Sequence, residues 1–170
     1  MQTTLAIKPA KIGDLTQILL VIADARQLLK TQDSGQWQDG TPSAETIKDD
    51  ISHYCFYVLK EQNQIVGVMA VLDYEKDYDH LLRGKWTIEG PYFVIHRFAI
   101  LSQTRGKGLA TMMLKYVEKL AIDKHKYAIR IDTHEKNIPM INLLNKNGYQ
   151  AIGIARLAGN KKRIAFEKAV

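Results

Sequence analysis

The 170-residue chain has one cysteine and four prolines. A lone thiol, Cys55, excludes an internal disulfide and fits a reducing compartment, so a cytoplasmic location is expected. Within His53-Tyr-Cys-Phe-Tyr57 it reads as a structural thiol rather than a nucleophile. No apolar run reaches the length of a membrane span, and Met1-Gln-Thr-Thr has no secretory character, so no membrane partner is expected. His, Cys, Asp and Glu nowhere recur at ligand spacing, so no metal is expected. The chain also lacks repeats, low-complexity tracts, basic helices and aromatic RNA-binding motifs.

What is present suits a folded enzyme-sized unit. With 46% hydrophobic and 25% charged residues, the chain can bury a core unaided, and residues 1–170 are expected to form a single domain. The net charge of +6 is unevenly spread. Residues 1–90 carry 9 Lys and Arg against 13 Asp and Glu, and residues 91–170 carry 15 against 5. A basic half could serve nucleic acid, but a polyanionic small molecule explains the same bias.

The most informative stretch is Val94–Ala110, VIHRFAILSQTRGKGLA. Phe93, Val94, Ile95, Phe98 and Ile100 form a short apolar run of strand character. A polar turn from Leu101 to Arg105 leads into Gly106-Lys-Gly108. Leu109, Met112, Met113, Tyr116, Val117 and Leu120 then recur at helical spacing. A strand, a glycine turn and a helix make an anion socket, because the first helix amides lack internal partners and the dipole is positive there. Gly106 and Gly108 let an anion approach the main chain, and Arg105 and Lys107 add positive charge. A P-loop is excluded because Gly108 stands where Ser or Thr must follow the lysine, and a dinucleotide fingerprint because Thr111 replaces its third glycine.

Gln103-x-x-Gly106-x-Gly108 after an apolar strand resembles the Gln/Arg-x-x-Gly-x-Gly/Ala signature of the GNAT superfamily of acetyl-CoA-dependent N-acyltransferases. Asn137 and Leu143-Leu-Asn-Lys-Asn-Gly-Tyr149 are similar to that family's second cofactor-side motif. Trp37-x-x-Gly40 and Asp132-Thr-His134 resemble a bacterial branch of small-molecule acetyltransferases. The order of predicted elements, β-α-α-β-β-β-α-β-α-β-β, extends the resemblance over the whole chain. It implies an α/β (α+β) GNAT fold: a central, mixed, mostly antiparallel, splayed sheet of about seven strands flanked by about four helices. The strands are expected over 3–8, 56–59, 65–72, the organising stretch, 127–133, 149–157 and 162–168, with helices over 12–31, 44–54, 109–124 and 138–147.

The resemblance also implies chemistry: transfer of an acetyl group from acetyl-CoA, as co-substrate, to a primary amine in a ternary complex. The pyrophosphate is expected on Gln103, Thr104, Arg105, Gly106, Lys107 and Gly108, with Leu109 and Ala110 also binding the cofactor. A bulge near His96–Phe98 is expected to part the strand from 127–133. The pantetheine arm and thioester would then lie along Phe98, Ala99 and Ile100, with Asn137 and Asn145 on the second motif. His96 is the first choice for a base, since an imidazole titrates near pH ~6.5; Glu89 and His134 stand in reserve, and Asp132 reads as a turn anchor. Asp33, Trp37 and Asp39 are expected to meet a small-molecule or peptide amine. The acceptor is expected to enter at the segment Gln32–Pro42 and the turn Gly159–Lys162, and the acidic run Asp73–Asp79 reads as a solvated surface at the opposite end of the sheet. Leu144 occupies the place of the tyrosine that many relatives use to protonate the thiolate, and Tyr149 reads as packing. A CoA-binding sensor without turnover and a nucleic-acid-binding module are the competing classes, and a homodimer is left open.

Overall fold

The computed structural model describes residues 4–170; Thr3, the expected start of the first strand, lies outside the described residues. Eight strands and four α-helices follow in the order β1 Leu5–Pro9, α1 Leu15–Thr31, α2 Ala44–Ser52, β2 Phe56–Glu61, β3 Gln64–Leu72, β4 Arg83–Gly84, β5 Tyr92–Ile100, α3 Leu109–Asp123, β6 Ala128–Thr133, α4 Ile138–Lys146, β7 Gln150–Leu157 and β8 Lys161–Ala169. The strands make one open, mixed sheet in the order β1-β2-β3-β5-β6-β8-β7-β4. β5 and β6 pair in parallel, as the crossover through α3 requires. The pairs β1–β2, β2–β3, β6–β8, β7–β8 and β4–β7 are antiparallel. The chain divides into two compact units: residues up to Val71 with Arg97–Met113, and Leu72–His96 with Leu114–Val170.

In the first unit α1 presents Ile18, Val21, Ile22, Ala25 and Leu29 as its buried stripe, the i, i+3, i+4, i+7 spacing of an amphipathic helix. Ser43 caps α2 by accepting from the Thr46 amide at 3.2 Å, and Ile47 and Ile51 face inward. These helices bury against Phe56, Val58, Ile65 and Val68 of the sheet. Each such side chain contributes about 1.5–3 kcal/mol by leaving water. Cys55 is half-buried, its thiol donating to the Asp50 carbonyl at 3.3 Å, and burial pushes its pKa up to about 11. It is a structural thiol, as expected. Gly67 is forced by packing: a Cβ there would lie 2.7 Å from Met113 Sδ and 2.8 Å from Ile100 Cδ1.

In the second unit β6 is buried along nearly its whole length, as a strand paired on both sides should be. Asn137 caps α4 by accepting from the Met140 amide, and Gly148, at φ 81°, ends it. Gly159 and Asn160, both at positive φ, return the chain from β7 to β8. The eighth strand, absent from the expected count of seven, is β4. It has two residues, Arg83 paired with Ile154 and Gly84 with Gly153, too few to show any periodicity. The two backbones meet closely because both central residues lack a side chain; a Cβ on Gly153 would lie 2.1 Å from the Arg83 carbonyl oxygen.

We expect Gly67→Ala to lower unfolding stability by about 1–3 kcal/mol through overpacking. Gly13→Ala, whose Cβ would meet nothing within 4 Å, should leave it nearly unchanged. Urea denaturation of both variants measures the difference, and equal midpoints would contradict the packing argument.

Candidate active site

The site is built around a break in β5. Its first residues pair with β6 from Tyr92↔Ala128 to Ile95↔Ile131, and that register ends there. Arg97, two residues on, has a left-handed φ of 51°. Beyond it the Leu101 amide donates to the Val66 carbonyl at 2.8 Å, on β3. This is the strand irregularity expected near His96–Phe98. An arginine in that conformation is costly unless something repays it. Its Nε lies 2.8 Å from Oδ2 of Asp50, a carboxylate on α2 that is 6% exposed. A buried carboxylate needs a cation, so one contact serves both residues.

After β5 the chain makes a single 3₁₀ turn, Ser102–Thr104, and reaches α3 through two glycines. Asp24 on α1 holds the turn: Oδ2 accepts from the Ser102 amide and Oδ1 from its hydroxyl, both at 2.7 Å. Buried Thr104 closes it by donating to the Leu101 carbonyl at 2.8 Å. Gln103, Arg105, Gly106, Lys107 and Gly108 are exposed. Gly106 and Gly108 stand at φ 79° and 74°, and a Cβ on either would meet nothing within 4 Å. The backbone at the helix start is therefore open to an incoming group. Lys107 Nζ lies 3.8 Å from Glu61. Leu109 is buried and Ala110 partly so, anchoring the helix end of the socket.

A second cluster lies in the other unit. His96 Nε2 is 2.7 Å from Glu75 Oε2. Tyr78, fully buried, donates its hydroxyl to Asp132 Oδ2 at 2.5 Å, and its ring centroid lies 6.0 Å from that of His96. Trp86 packs on Tyr78 and donates its indole N–H to the Tyr78 carbonyl at 2.7 Å. Burial pushes the Asp132 carboxyl above its ordinary value, against the pull of His96 and Arg163. Burial and the Asp132 charge push the Tyr78 phenol well above 10, so it stays a donor. Three expectations are corrected here. Asp132 anchors Tyr78 rather than only the turn it begins. The Asp73–Asp79 run is only in part a solvated surface: Asp73 and Asp79 are exposed, but Glu75 reaches His96, and Asp77 accepts from the Ala158 amide at 3.0 Å. That amide begins the β7–β8 turn, so the acidic run lies at the same end as Gly159–Lys162, not the opposite one.

The remaining expected residues are dispersed. Glu89 is exposed in the segment before β5, whereas His96 is the fifth residue of that strand. His134 Nδ1 accepts from the Lys136 amide at 3.1 Å, and burial, with Arg163, lowers its pKa. Asn137 caps α4, and Asn145 is exposed on it. Asp33, exposed, and half-buried Trp37 both have positive φ, and Trp37 packs against the α1–α2 core. Asp39 Oδ1 accepts from the Thr41 amide and hydroxyl, so it shapes its own loop. Leu144 is fully buried. Tyr149 is 2% exposed, and its hydroxyl finds no hydrogen-bond partner among the described residues.

The profile of the Acetyltransferase (GNAT) family matches residues 22–149. The chain belongs to the GNAT acetyltransferase family. It is therefore an acyltransferase, of class EC 2.3.1. A GNAT-family acetyltransferase from Streptococcus agalactiae 2603 is 35% identical, with a TM-score of 0.86 over 99% of each chain. A streptothricin acetyltransferase from Escherichia coli is 36% identical over 116 residues, which cover 56% of this chain and 67% of that protein. The PaiA N-acetyltransferase of Thermoplasma acidophilum, solved with coenzyme A, shares the fold at 15% identity, with a TM-score of 0.73 over 98% of this chain and 99% of that one. Among the described residues of this GNAT protein, no three His, Cys, Asp or Glu side chains gather as metal ligands, and no helix is long and apolar enough to cross a membrane.

Sequence reasoning missed Asp24, Asp50, Glu75 and Tyr78. Asp50 is directly testable, because removing one member of a buried ion pair strands the other. We expect Asp50→Ala to cost about 3–5 kcal/mol of stability. Asp50→Ala combined with Arg97→Gly, which removes the second charge and suits the left-handed φ, should recover much of it. Denaturant titration decides, and additive losses would show that the two residues are not coupled.

Proposed function

We propose that this GNAT protein moves the acetyl group of acetyl-CoA to a primary amine of a small molecule, by direct attack of the amine in a ternary complex. The observation that supports this best is the Gln103–Gly108 turn. It joins two left-handed glycines, open space above them, exposed Arg105 and Lys107, and the start of a 15-residue helix. Those features fit a pyrophosphate. Acetyl-CoA, when bound, supplies an acyl group activated as a thioester.

The chain's own residues do the rest in this reading. Gln103–Gly108 hold the pyrophosphate, with Leu109, Ala110, Asn137 and Asn145 further cofactor contacts. The amides of Phe98 and Ile100, beside Ala99, stabilise the negative charge that the carbonyl oxygen gains during attack. His96 takes the ammonium proton, the new C–N bond forms, and the C–S bond breaks to release the thiol. Buried Leu144 offers no proton at the usual acid's place, so water protonates the thiolate or it leaves unassisted. Glu89 and His134 stand behind His96 as bases acting through water. The name of the E. coli relative supports a small-molecule amine as acceptor. We read residues 1–170 as one catalytic domain working in the cytoplasm, with Asp33, Trp37 and Asp39 nearest the acceptor.

An acetylation panel over amine classes, read by thiol release, tests the reading. Cationic primary amines should react; coenzyme A binding without turnover on any amine would favour a sensor. Gly108→Val, at a φ of 74° that a β-branched residue adopts only under strain, should weaken acetyl-CoA binding in calorimetry, with a thermal melt to show that the variant still folds. His96→Gln should lower kcat/KM by about 10²–10⁴-fold, the usual worth of a general base, with acetyl-CoA affinity little changed. Wild-type turnover in His96→Gln would remove the base from His96.

A further inference from the structure

The acidic run Asp73–Asp79 is tied down along its length. Asp73 pairs with Lys126 Nζ at 2.5 Å, Tyr74 donates to Asp79 at 2.5 Å, Asp77 holds the Ala158 amide, and Tyr78 holds Asp132. Glu75 sits inside this anchored segment. Its Oε1 accepts from the Asp77 amide at 3.2 Å, which fixes the plane of the carboxylate and leaves Oε2 for His96 at 2.7 Å.

We propose that Glu75 is a positioning residue for acyl transfer: it holds the His96 ring through Nε2, leaving Nδ1 as the nitrogen that takes the amine's proton. This rests on the reading of His96 as the base. A neutral imidazole carries one N–H and one lone pair, while an ionised carboxylate can only accept. Beside Glu75 the proton therefore belongs on Nε2 and the lone pair on Nδ1. Once Nδ1 is protonated, the adjacent carboxylate stabilises the imidazolium. Also near the ring are the Tyr78 phenol, 6.0 Å away between centroids, and Asp132 beyond it, whose charge is offset by Arg163. Tyr78 stays neutral at working pH and Asp132 is committed to its hydroxyl, so Glu75 is the group that sets the ring's tautomer.

Glu75→Gln keeps the size and a hydrogen-bond acceptor but removes the charge. We expect the His96 imidazole resonance, followed by NMR against pH, to titrate at lower pH than in the wild type. The rising limb of kcat/KM should move the same way. Turnover at the plateau should fall on the order of 10 to 10²-fold, with the KM for acetyl-CoA unchanged. Glu75→Asp, which keeps the charge, should restore the titration but not the full turnover. An unchanged His96 titration and unchanged turnover in Glu75→Gln, while His96→Gln is impaired, would overturn the role of Glu75 and leave the base in place. Should His96→Gln lose nothing, the base reading itself fails, and the proposal with it. If Glu75→Gln does not fold, Glu75→Asp with wild-type kcat would be the overturning result.

Discussion

The left-handed backbone of Arg97 is the constraint on which the rest of this structure depends. It stands where β5 stops pairing with β6, and where the chain passes from one compact unit into the other. A glycine would take that conformation without strain, yet the sequence uses an arginine. Asp50 explains the choice: a carboxylate 6% exposed on α2 needs a cation, and the left-handed turn delivers one at 2.8 Å. The buried charge and the strained backbone each cost stability alone, and together they offset one another. Upstream of the turn stands His96; downstream come Phe98, Ile100 and the anion socket. In the proposed reading, this one residue separates the base from the backbone that meets the cofactor.

Magnitudes show what each part supplies in that reading. An alkylamine with a pKa near that of lysine, ~10.4, is almost entirely protonated at pH 7, and freeing its lone pair costs about 4–5 kcal/mol. In the proposed reading His96, held by Glu75 at 2.7 Å, gives that proton somewhere to go as the amine attacks. In the same reading the glycine turn solves a different problem, that of holding a multiply charged chain at one end so that its reactive end falls in one place. Neither task calls for a nucleophile, and Cys55, with its thiol pKa pushed up, is unsuited to be one.

Much of this was legible in the sequence because it rested on local rules. The four helices, the cap at Ser43, the stop at Gly148 and the two glycines before α3 each follow from spacing or backbone geometry, and that glycine pair carries the family signature. What stayed hidden rested on distance in space. β4 has two residues and no pattern. The acidic run was placed by the direction of β3, as if a loop stays where its strand delivers it. The chain from Leu72 to Tyr78 can span about 20 Å when extended, enough to carry Glu75 to His96 and Tyr78 to Asp132. Asp24 and Asp50 looked like ordinary polar positions on amphipathic helices. Nothing in their local sequence says that one holds the turn at Ser102 and the other neutralises a strand residue 47 positions away.

The central claim is that β5 beyond Arg97, together with the glycine turn, receives the acyl carrier. Amide hydrogen exchange with and without saturating coenzyme A addresses it residue by residue. The account predicts new protection at Phe98, Ile100 and the amides from Gln103 to Ala110, with Tyr92–Ile95 unchanged because those residues already pair with β6. Protection gained elsewhere, with these amides exchanging as in the free protein, would contradict it.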